Sequence, residues 1–461
     1  MPGQPRSRAT LLRAEIAATL RLAVPIAAAN LLQMLVYAID VIFVARLGQE
    51  ALAAASLATA LFGLVAWSLS GLTAAVAPLI AAELGNRRHA LREVRRSVRM
   101  ALWLAALSTV AGMGVCLLGE PLMLLTGQDP AVAEQAGMFL SILMFALLPM
   151  IASNVLRTFV SALGRPIFAT AFTALAIAVN ALGNWLLVFG NLGAPELGLA
   201  GSALSSVITG MLTFLAYVAA IRADRRLHRY RVFGRFWRPE WRRLADISRI
   251  GLPIAGTILA EAGLFSGAAF LMGRIGEAQI AGHTVALQLA AFAFQVPFGI
   301  GQAATIRVGY HYGAGDRPGI ARAGRVALVA GAAFMAVTST LMLVAAPLLV
   351  ALYVDPADPA NAAMVRFAVQ FMMVAAAFQL FDGLQSVAAG ALRGLQDTRV
   401  PMLIALFSYW VPGAAVSVGL GLFTPLAGLG IWLGLLVSLA CAAGLLLWRW
   451  QRRERLGLVP A

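Results

Sequence analysis

The chain has 461 residues, 61% of them hydrophobic, and its mean hydropathy is +0.84. A soluble domain is closer to about 45–50% apolar, so these values exclude an ordinary water-soluble fold. The formal net charge of +15 does not indicate nucleic-acid binding, because the basic clusters are dispersed over short loops between apolar runs.

Apolar runs of about 20 residues recur from end to end, and each is long enough to span a bilayer as a helix. We place twelve spans at residues 18–45, 50–83, 98–119, 135–156, 164–190, 196–221, 247–273, 278–306, 323–352, 364–392, 400–421 and 425–448. The basic first 20 residues lead into a span that carries polar side chains, which is unlike a cleaved signal peptide. The pattern predicts an all-α polytopic membrane protein.

The arginines are distributed unevenly between the two ends of these spans. All 35 basic residues are arginines, and 32 of them lie in the N-terminal flank, in connections after even-numbered spans or in the C-terminal tail. Only Arg46, Arg274 and Arg366 follow odd-numbered spans. The positive-inside rule therefore predicts that both termini are cytoplasmic.

The two halves of the chain are related by an internal duplication. An offset of 228 aligns Arg21 with Arg249 and Pro25 with Pro253 without a gap. Six spans per half give both halves one orientation, which predicts two six-helix lobes related by a pseudo-two-fold axis along the membrane normal. We predict an N-terminal lobe at 1–221, a basic cytoplasmic linker at 222–246 and a C-terminal lobe at 247–461.

Three carboxylates, Asp40, Glu261 and Asp382, fall inside predicted spans. A charged residue at the bilayer centre costs roughly 3 kcal/mol on insertion scales, so such residues are rare and usually functional. A single one could be a helix-end residue or a satisfied interior group, but three together favour function. Gln379 and Gln385 flank Asp382 at three residues on each side, and oxygen-rich clusters suit hard cations such as Na⁺. The sequence leaves two alternatives for the species that binds at Glu261 and Asp382: Na⁺ or a proton.

A polar stripe marks the first span. Gln33, Tyr37 and Asp40 follow one another at spacings of four and three, so they share one helix face that should point to the bundle interior or a cavity. Asn180 and Asn184 are four residues apart in the fifth span. Asparagines there either hydrogen-bond between helices or line a binding site.

The sequence contains no catalytic signature such as a nucleotide-binding loop, a zinc-protease motif or a nucleophile elbow. We therefore expect neither an enzyme nor an ATP-driven pump, and no cofactor other than a coupling ion. The long basic loop after the sixth span suits anionic membrane lipid as a partner.

Several segments together resemble the multidrug and toxic compound extrusion (MATE) transporters, and more closely their NorM-like branch. The resemblance covers nearly the whole chain and is carried by LAVPIAAANLLQMLVYAIDVIFVARLGQEALAA, APLIAAELGNRR, VNALGNWLLVFGNLGAPELGLAGSAL, AGHTVALQLAAFAFQVPFGIGQAATIRVGYHYGAGD and DGLQSVAAGALRGLQDTRVPM. It implies two helical bundles around a cavity that opens alternately to either face of the bacterial inner membrane. It also implies multidrug efflux, with cationic amphipathic organic compounds exported in exchange for Na⁺ or H⁺.

The resemblance also implies roles for particular residues. Asp40 matches the first-helix aspartate of the family, which implies a cation-binding role in proton or substrate coupling in the N-terminal lobe, with Asn180 and Asn184 at polar positions near it. Glu261 and Asp382 match the carboxylates of the cation site in the C-terminal lobe. In the same helix, Phe378 stands where at least some relatives carry a tyrosine, which removes one potential oxygen ligand.

Other functions remain as alternatives. A flippase or exporter of a lipid-linked or oligosaccharide precursor would need a wide cationic groove, and the interior arginines here are few, with Arg157 and Arg393 near span ends. The chain could also export an endogenous metabolite. We expect small organic cations and membrane lipids as partners, no nucleic acid, and a monomer.

Overall fold

The computed structural model describes residues 7–87, 90–234 and 236–460, which form helices and turns. Twelve of these helices are long and apolar enough to cross a membrane. We number them α1 (Arg8–Ala45), α2 (Gln49–Asn86), α3 (Ala90–Leu117), α4 (Pro130–Ala162), α5 (Ile167–Leu187), α6 (Gly198–Ala223), α7 (Trp241–Ile275), α8 (Glu277–Gly313), α9 (Arg317–Val344), α10 (Pro359–Gly394), α11 (Arg399–Phe423) and α12 (Gly428–Gln451). The predicted all-α fold with twelve membrane helices is confirmed.

Several helices extend beyond the predicted spans at their arginine-rich ends. The first begins at Arg8 rather than near residue 18, and the third at Ala90 rather than near residue 98. Hydropathy detects only the apolar part of a helix, whereas backbone hydrogen bonding continues through polar turns. Arginine is a good helix former, so the basic flanks prolong the helices instead of ending them.

Four of the membrane helices depart from regular α geometry. α2 is interrupted by a turn after Thr73, α4 contains the 3₁₀ segment Met144–Ala146, and α10 begins with the 3₁₀ segment Pro359–Asn361. α11 contains the π-helical segment Tyr409–Gly413, which includes Pro412. Proline lacks the N–H that would complete the α-helical pattern, and such wide turns are frequent at functional sites.

The helices pack into two compact units whose boundaries lie inside helices. The first, here called the N-unit, is Ala28–Ala255; the second, the C-unit, is Met1–Ala27 together with Gly256–Ala461. The two boundaries are 228 residues apart, which equals the repeat offset. α1 and α7 therefore each contribute to both units, whereas the predicted limits 1–221, 222–246 and 247–461 assign each helix to one lobe.

The basic segment after α6 is fastened to the N-unit by ion pairs. Glu240 accepts hydrogen bonds from both Arg96 and Arg99 of α3, and Arg243 pairs with Glu83 of α2 at 2.6 Å. Charge-assisted hydrogen bonds of this kind are roughly twice as strong as those between neutral groups. Part of the predicted linker is thus held against helices of its own unit.

A second ion cluster fastens the start of α1 within the C-unit. Glu15 is 3% exposed, and its oxygens accept hydrogen bonds from Nε and Nη2 of Arg307 on α8 at 2.8 and 2.7 Å. His311 bridges this pair to Asp316: its Nε2 lies 3.2 Å from Glu15 and its Nδ1 lies 2.9 Å from Asp316. The cluster explains why the first turns of α1 pack with α8 although they are nearly 300 residues apart in sequence.

Candidate functional site

Asp40 is the centre of a polar cluster in the N-unit. Its Oδ1 accepts hydrogen bonds from the Nδ2 atoms of Asn180 at 3.0 Å and Asn184 at 2.8 Å, and its Oδ2 accepts one from Ser206 Oγ at 3.1 Å. Both asparagines are fully buried. All three donors are neutral, so they solvate the carboxylate while leaving its negative charge without a cationic partner.

Two glycines allow the helices that hold this cluster to approach closely. A Cβ at Gly183 of α5 would collide with the side chain of Ser205 on α6, and a Cβ at Gly201 of α6 would collide with the carbonyl of Leu187. Glycine permits such close helix contacts in membrane bundles. The tight α5–α6 pair brings Asn184 and Ser206 within reach of the same carboxylate.

The carboxylate of Asp40 faces a cavity of about 380 Å³ within the N-unit. Tyr37 and Gln33 line it one and two turns before Asp40, as their spacing predicts, and Arg157 of α4 lines it as well. The remaining wall is mainly apolar. A mostly apolar pocket of this size with a few polar groups is typical of sites for small organic molecules.

A second polar cluster lies in the C-unit around the middle of α10. Gln379, Asp382 and Gln385 are 0, 5 and 3% exposed, and their spacing of three places them along one side of the helix. Thr338 of α9 donates to Gln379 Oε1 at 3.0 Å, and Gln385 Nε2 donates to the hydroxyl of Tyr409 at 2.8 Å. Each of these contacts is made by a neutral group.

Several buried atoms of this cluster have no partner. Among the described residues, no group donates a hydrogen bond to Asp382 Oδ1 or Gln385 Oε1. A buried polar atom without a hydrogen bond costs about 1–3 kcal/mol. Two unpartnered oxygens at one place therefore form a site that a small cation or a proton would stabilise.

The charges around Asp382 support the same interpretation. The carboxylate of Glu261 on α7 lies within electrostatic range of Asp382, and the guanidinium of Arg393 lies within range of Glu261. Across the described part of the chain, Arg393 forms no direct ion pair with either carboxylate. With all three groups ionised, the site holds one net negative charge, which a single monovalent cation would neutralise.

Phe378 belongs to the apolar wall beside this cluster. Its ring is 1% exposed and meets Trp432 edge-on, with the ring centroids 5.6 Å apart, and it also meets Phe265 at 6.2 Å. Oxygen ligands for an ion would therefore come from Asp382, Glu261 and the glutamines of α10 rather than from this position.

The predicted site residues thus fall into two groups, one in each unit. Asp40, Asn180 and Asn184 meet directly, with Gln33 and Tyr37 on the same cavity wall, whereas Glu261 lies with Asp382 in the C-unit. Their assignment to ions or substrates stays a prediction.

The structure adds four groups that were not predicted as site positions from the sequence: Ser206, Tyr409, Arg157 and Arg393. Helical periodicity could have identified Arg393, since eleven residues after Asp382 is almost exactly three turns.

Comparisons with known proteins agree with this architecture. The MatE family model matches residues 25–186 and 253–418, one segment in each half of the duplication. The chain is 45% identical to the "Probable multidrug resistance protein NorM" of Mesorhizobium japonicum over 451 residues, 98% of this chain and 97% of that protein. It is 37% identical to the "Multidrug resistance protein NorM" of Burkholderia vietnamiensis over 438 residues, covering 94% of this chain and 93% of that one.

The fold also matches solved structures. The crystal structure of the eukaryotic MATE transporter AtDTX14 superposes with a TM-score of 0.85 at 20% identity, covering 97% of this chain and 100% of that one. Sequence and fold together lead to one conclusion: the chain is a multi-pass membrane protein that belongs to the MATE family of transporters, in its NorM-like branch.

Proposed function

We propose that this protein is a secondary antiporter that exports cationic amphipathic organic compounds in exchange for Na⁺ or H⁺. Membership of a transporter family whose similar proteins carry the name multidrug resistance protein supports efflux as the general task. The observation that carries the proposal further is the charge of the C-unit cluster, where two carboxylates face one arginine and buried oxygens lack partners.

In this proposal the coupling ion binds at Glu261 and Asp382. Two carboxylates in a low-dielectric site repel each other strongly, so one of them gains a proton or both share a cation. Arg393 offsets one of the two negative charges and thereby limits the site to a single monovalent ion. Gln385 and Gln379 offer amide oxygens of the kind that Na⁺ prefers.

The cavity around Asp40 binds the organic substrate. Its aspartate charge has no cationic partner within 4 Å among the described side chains, so a substrate cation would supply the missing positive charge. Asn180 and Asn184 orient the carboxylate, and the apolar wall accepts the rest of an amphipathic molecule. Gln33 and Tyr37 add hydrogen-bonding groups on the same side.

The arginine distribution supports an orientation with both termini in the cytoplasm of a bacterium and the protein in its inner membrane. Arg225, Arg226 and Arg229 are exposed in the segment after α6, where they would meet anionic lipid headgroups. We propose a monomer as the working unit, because both candidate sites are complete within one chain.

The test is ethidium transport by purified protein in proteoliposomes, with Na⁺ and pH gradients imposed separately. We expect one of the two gradients to drive transport. Asp382→Asn should lower the initial rate about tenfold or more, which corresponds to roughly 1.4 kcal/mol. The matched control is Glu134→Gln, which changes an exposed carboxylate and should leave the rate unchanged.

The outcomes separate the alternatives. Full transport by a folded Asp382→Asn protein would contradict the proposed ion site. Wild-type protein that moves ethidium under neither gradient would contradict organic-cation antiport. The next assays would then be translocation of a lipid-linked oligosaccharide precursor and export of cellular metabolites.

A further inference from the structure

Arg157 places a cation on the wall of the same cavity that contains Asp40. It lies on α4, is half-buried and lines the 380 Å³ space. Within residues 7–87, 90–234 and 236–460 it forms no ion pair and no hydrogen bond from its guanidinium. Asp40 and Arg157 therefore both face the cavity without neutralising each other.

Three other buried or partly buried arginines of the N-unit form ion pairs, whereas Arg157 forms none with the described side chains. Arg96 and Arg99 of the N-unit pair with Glu240, and Arg243 pairs with Glu83. Arg157 lies five residues before the end of α4, and its side chain lines the cavity. A guanidinium that lines a cavity and has no carboxylate within 4 Å among the described side chains is available to bind an anionic group.

The two charged groups lie on different helices, α1 and α4, that line one cavity. Tyr37 lies within electrostatic range of both Asp40 and Arg157, and Tyr217 lies within range of Arg157. Both tyrosines line the cavity. The cavity therefore presents a negative group and a positive group with aromatic surface beside them, which is the complement of a molecule that carries both charges.

We propose that Arg157 is the residue that binds the anionic group when the cavity holds an amphoteric aromatic substrate. A guanidinium presents a planar fork that matches both oxygens of a carboxylate. Asp40 holds the cationic end of the same molecule. This inference rests on the proposed substrate role of the cavity and adds a specificity-determining residue to it.

The test uses two dyes that differ only in the proposed group: rhodamine B, which carries a free carboxylate, and its ethyl ester. Equilibrium binding to purified protein is measured by fluorescence anisotropy, followed by transport in proteoliposomes under the gradient that drives ethidium. Arg157→Gln should weaken binding of rhodamine B about tenfold and leave the ester within about twofold of wild type.

Two further variants separate charge from geometry. Arg157→Lys keeps the charge but loses the fork and should bind rhodamine B with intermediate affinity. Arg455→Gln removes an exposed arginine outside the cavity and should change the binding of neither dye. Equal losses for both dyes in Arg157→Gln, or no loss for either, would overturn the assignment of Arg157.

The binding measurement also keeps this inference separate from the proposed function. Wild-type protein that binds rhodamine B through Arg157 but transports neither dye would contradict the antiporter and support the site. Transport of both dyes that does not depend on Arg157 would support the antiporter and contradict the assignment of Arg157. If the Gln variant does not fold, wild-type protein and Arg157→Lys still test the proposal. Equal affinity for rhodamine B and its ethyl ester in both proteins would contradict it.

Discussion

The Glu15–Arg307 pair should contribute measurably to the stability of the C-unit, and Glu15→Gln tests this. Both carboxylate oxygens accept hydrogen bonds from the guanidinium at 2.7–2.8 Å, and Glu15 is 3% exposed. Breaking a buried pair by removing one charge costs about 3–5 kcal/mol. The Arg307 side chain is 21% exposed and the amide retains one acceptor, so we expect a loss of about 2–3 kcal/mol.

The assay is thermal unfolding of the purified protein in detergent micelles. At roughly 2–4 °C per kcal/mol, the midpoint should fall by about 4–12 °C. Glu454→Gln is the matched control, because that glutamate has a side chain 63% exposed and lies 3.8 Å from Arg453. Such a surface pair contributes about 0–1 kcal/mol, so the control should shift the midpoint little.

A double-mutant cycle with Arg307→Gln then isolates the interaction itself. The two single losses should exceed the loss in the double variant by about 1.5–3 kcal/mol, because each single variant leaves its partner charge uncompensated. Additive losses would refute the reasoning, as would a Glu15→Gln protein that unfolds at the wild-type temperature.

Two further substitutions probe the candidate sites. Gly183→Ala should push α6 away from α5 through contact with Ser205, loosen the hydrogen bonds to Asp40 and weaken ethidium binding several-fold. The control is Gly114→Ala, because an added Cβ at Gly114 meets no other atom. Equal ethidium binding by the two variants would contradict the role of the α5–α6 contact. Arg393→Gln should increase the negative charge of the ion site and lower the cation concentration that gives half-maximal transport. Arg393→Lys keeps the positive charge and should leave that concentration unchanged. An unchanged or higher concentration in the Gln variant would contradict the role of the charge.

The sequence was sufficient to predict the membrane helices and to identify the residues whose chemistry is unusual in a membrane. Asp40, Glu261 and Asp382 could be identified because a carboxylate in an apolar run has no structural reason to be there. Asn180 and Asn184 could be placed near each other by their spacing alone. Their hydrogen bonds to Asp40 join residues distant in sequence and depend on how α5 packs against α1.

The arginines of the sites were missed for a definite physical reason. Arginines near span ends follow the positive-inside rule and can reach the interface with long side chains, so Arg157 and Arg393 looked like topology signals. Only packing shows that one lines a cavity and the other lies within electrostatic range of Glu261. The assignment of residues before Ala28 to the C-unit was missed in the same way, because it depends on the packing of α1 against α8.

The position of the unit boundaries has a consequence for the origin of the chain. Each half of the duplication begins with a segment that packs in the other unit: Met1–Ala27 belongs with Gly256–Ala461, and the segment that ends at Ala255 belongs with the N-unit. A single six-helix precursor with this packing could not complete a unit by itself, because its first helix would have to exchange with that of a second copy. Such an ancestor would be a domain-swapped dimer. Fusion of two such copies would convert the association into a covalent connection and let aligned positions diverge, as Asp40 and Ala268 have at the offset of 228.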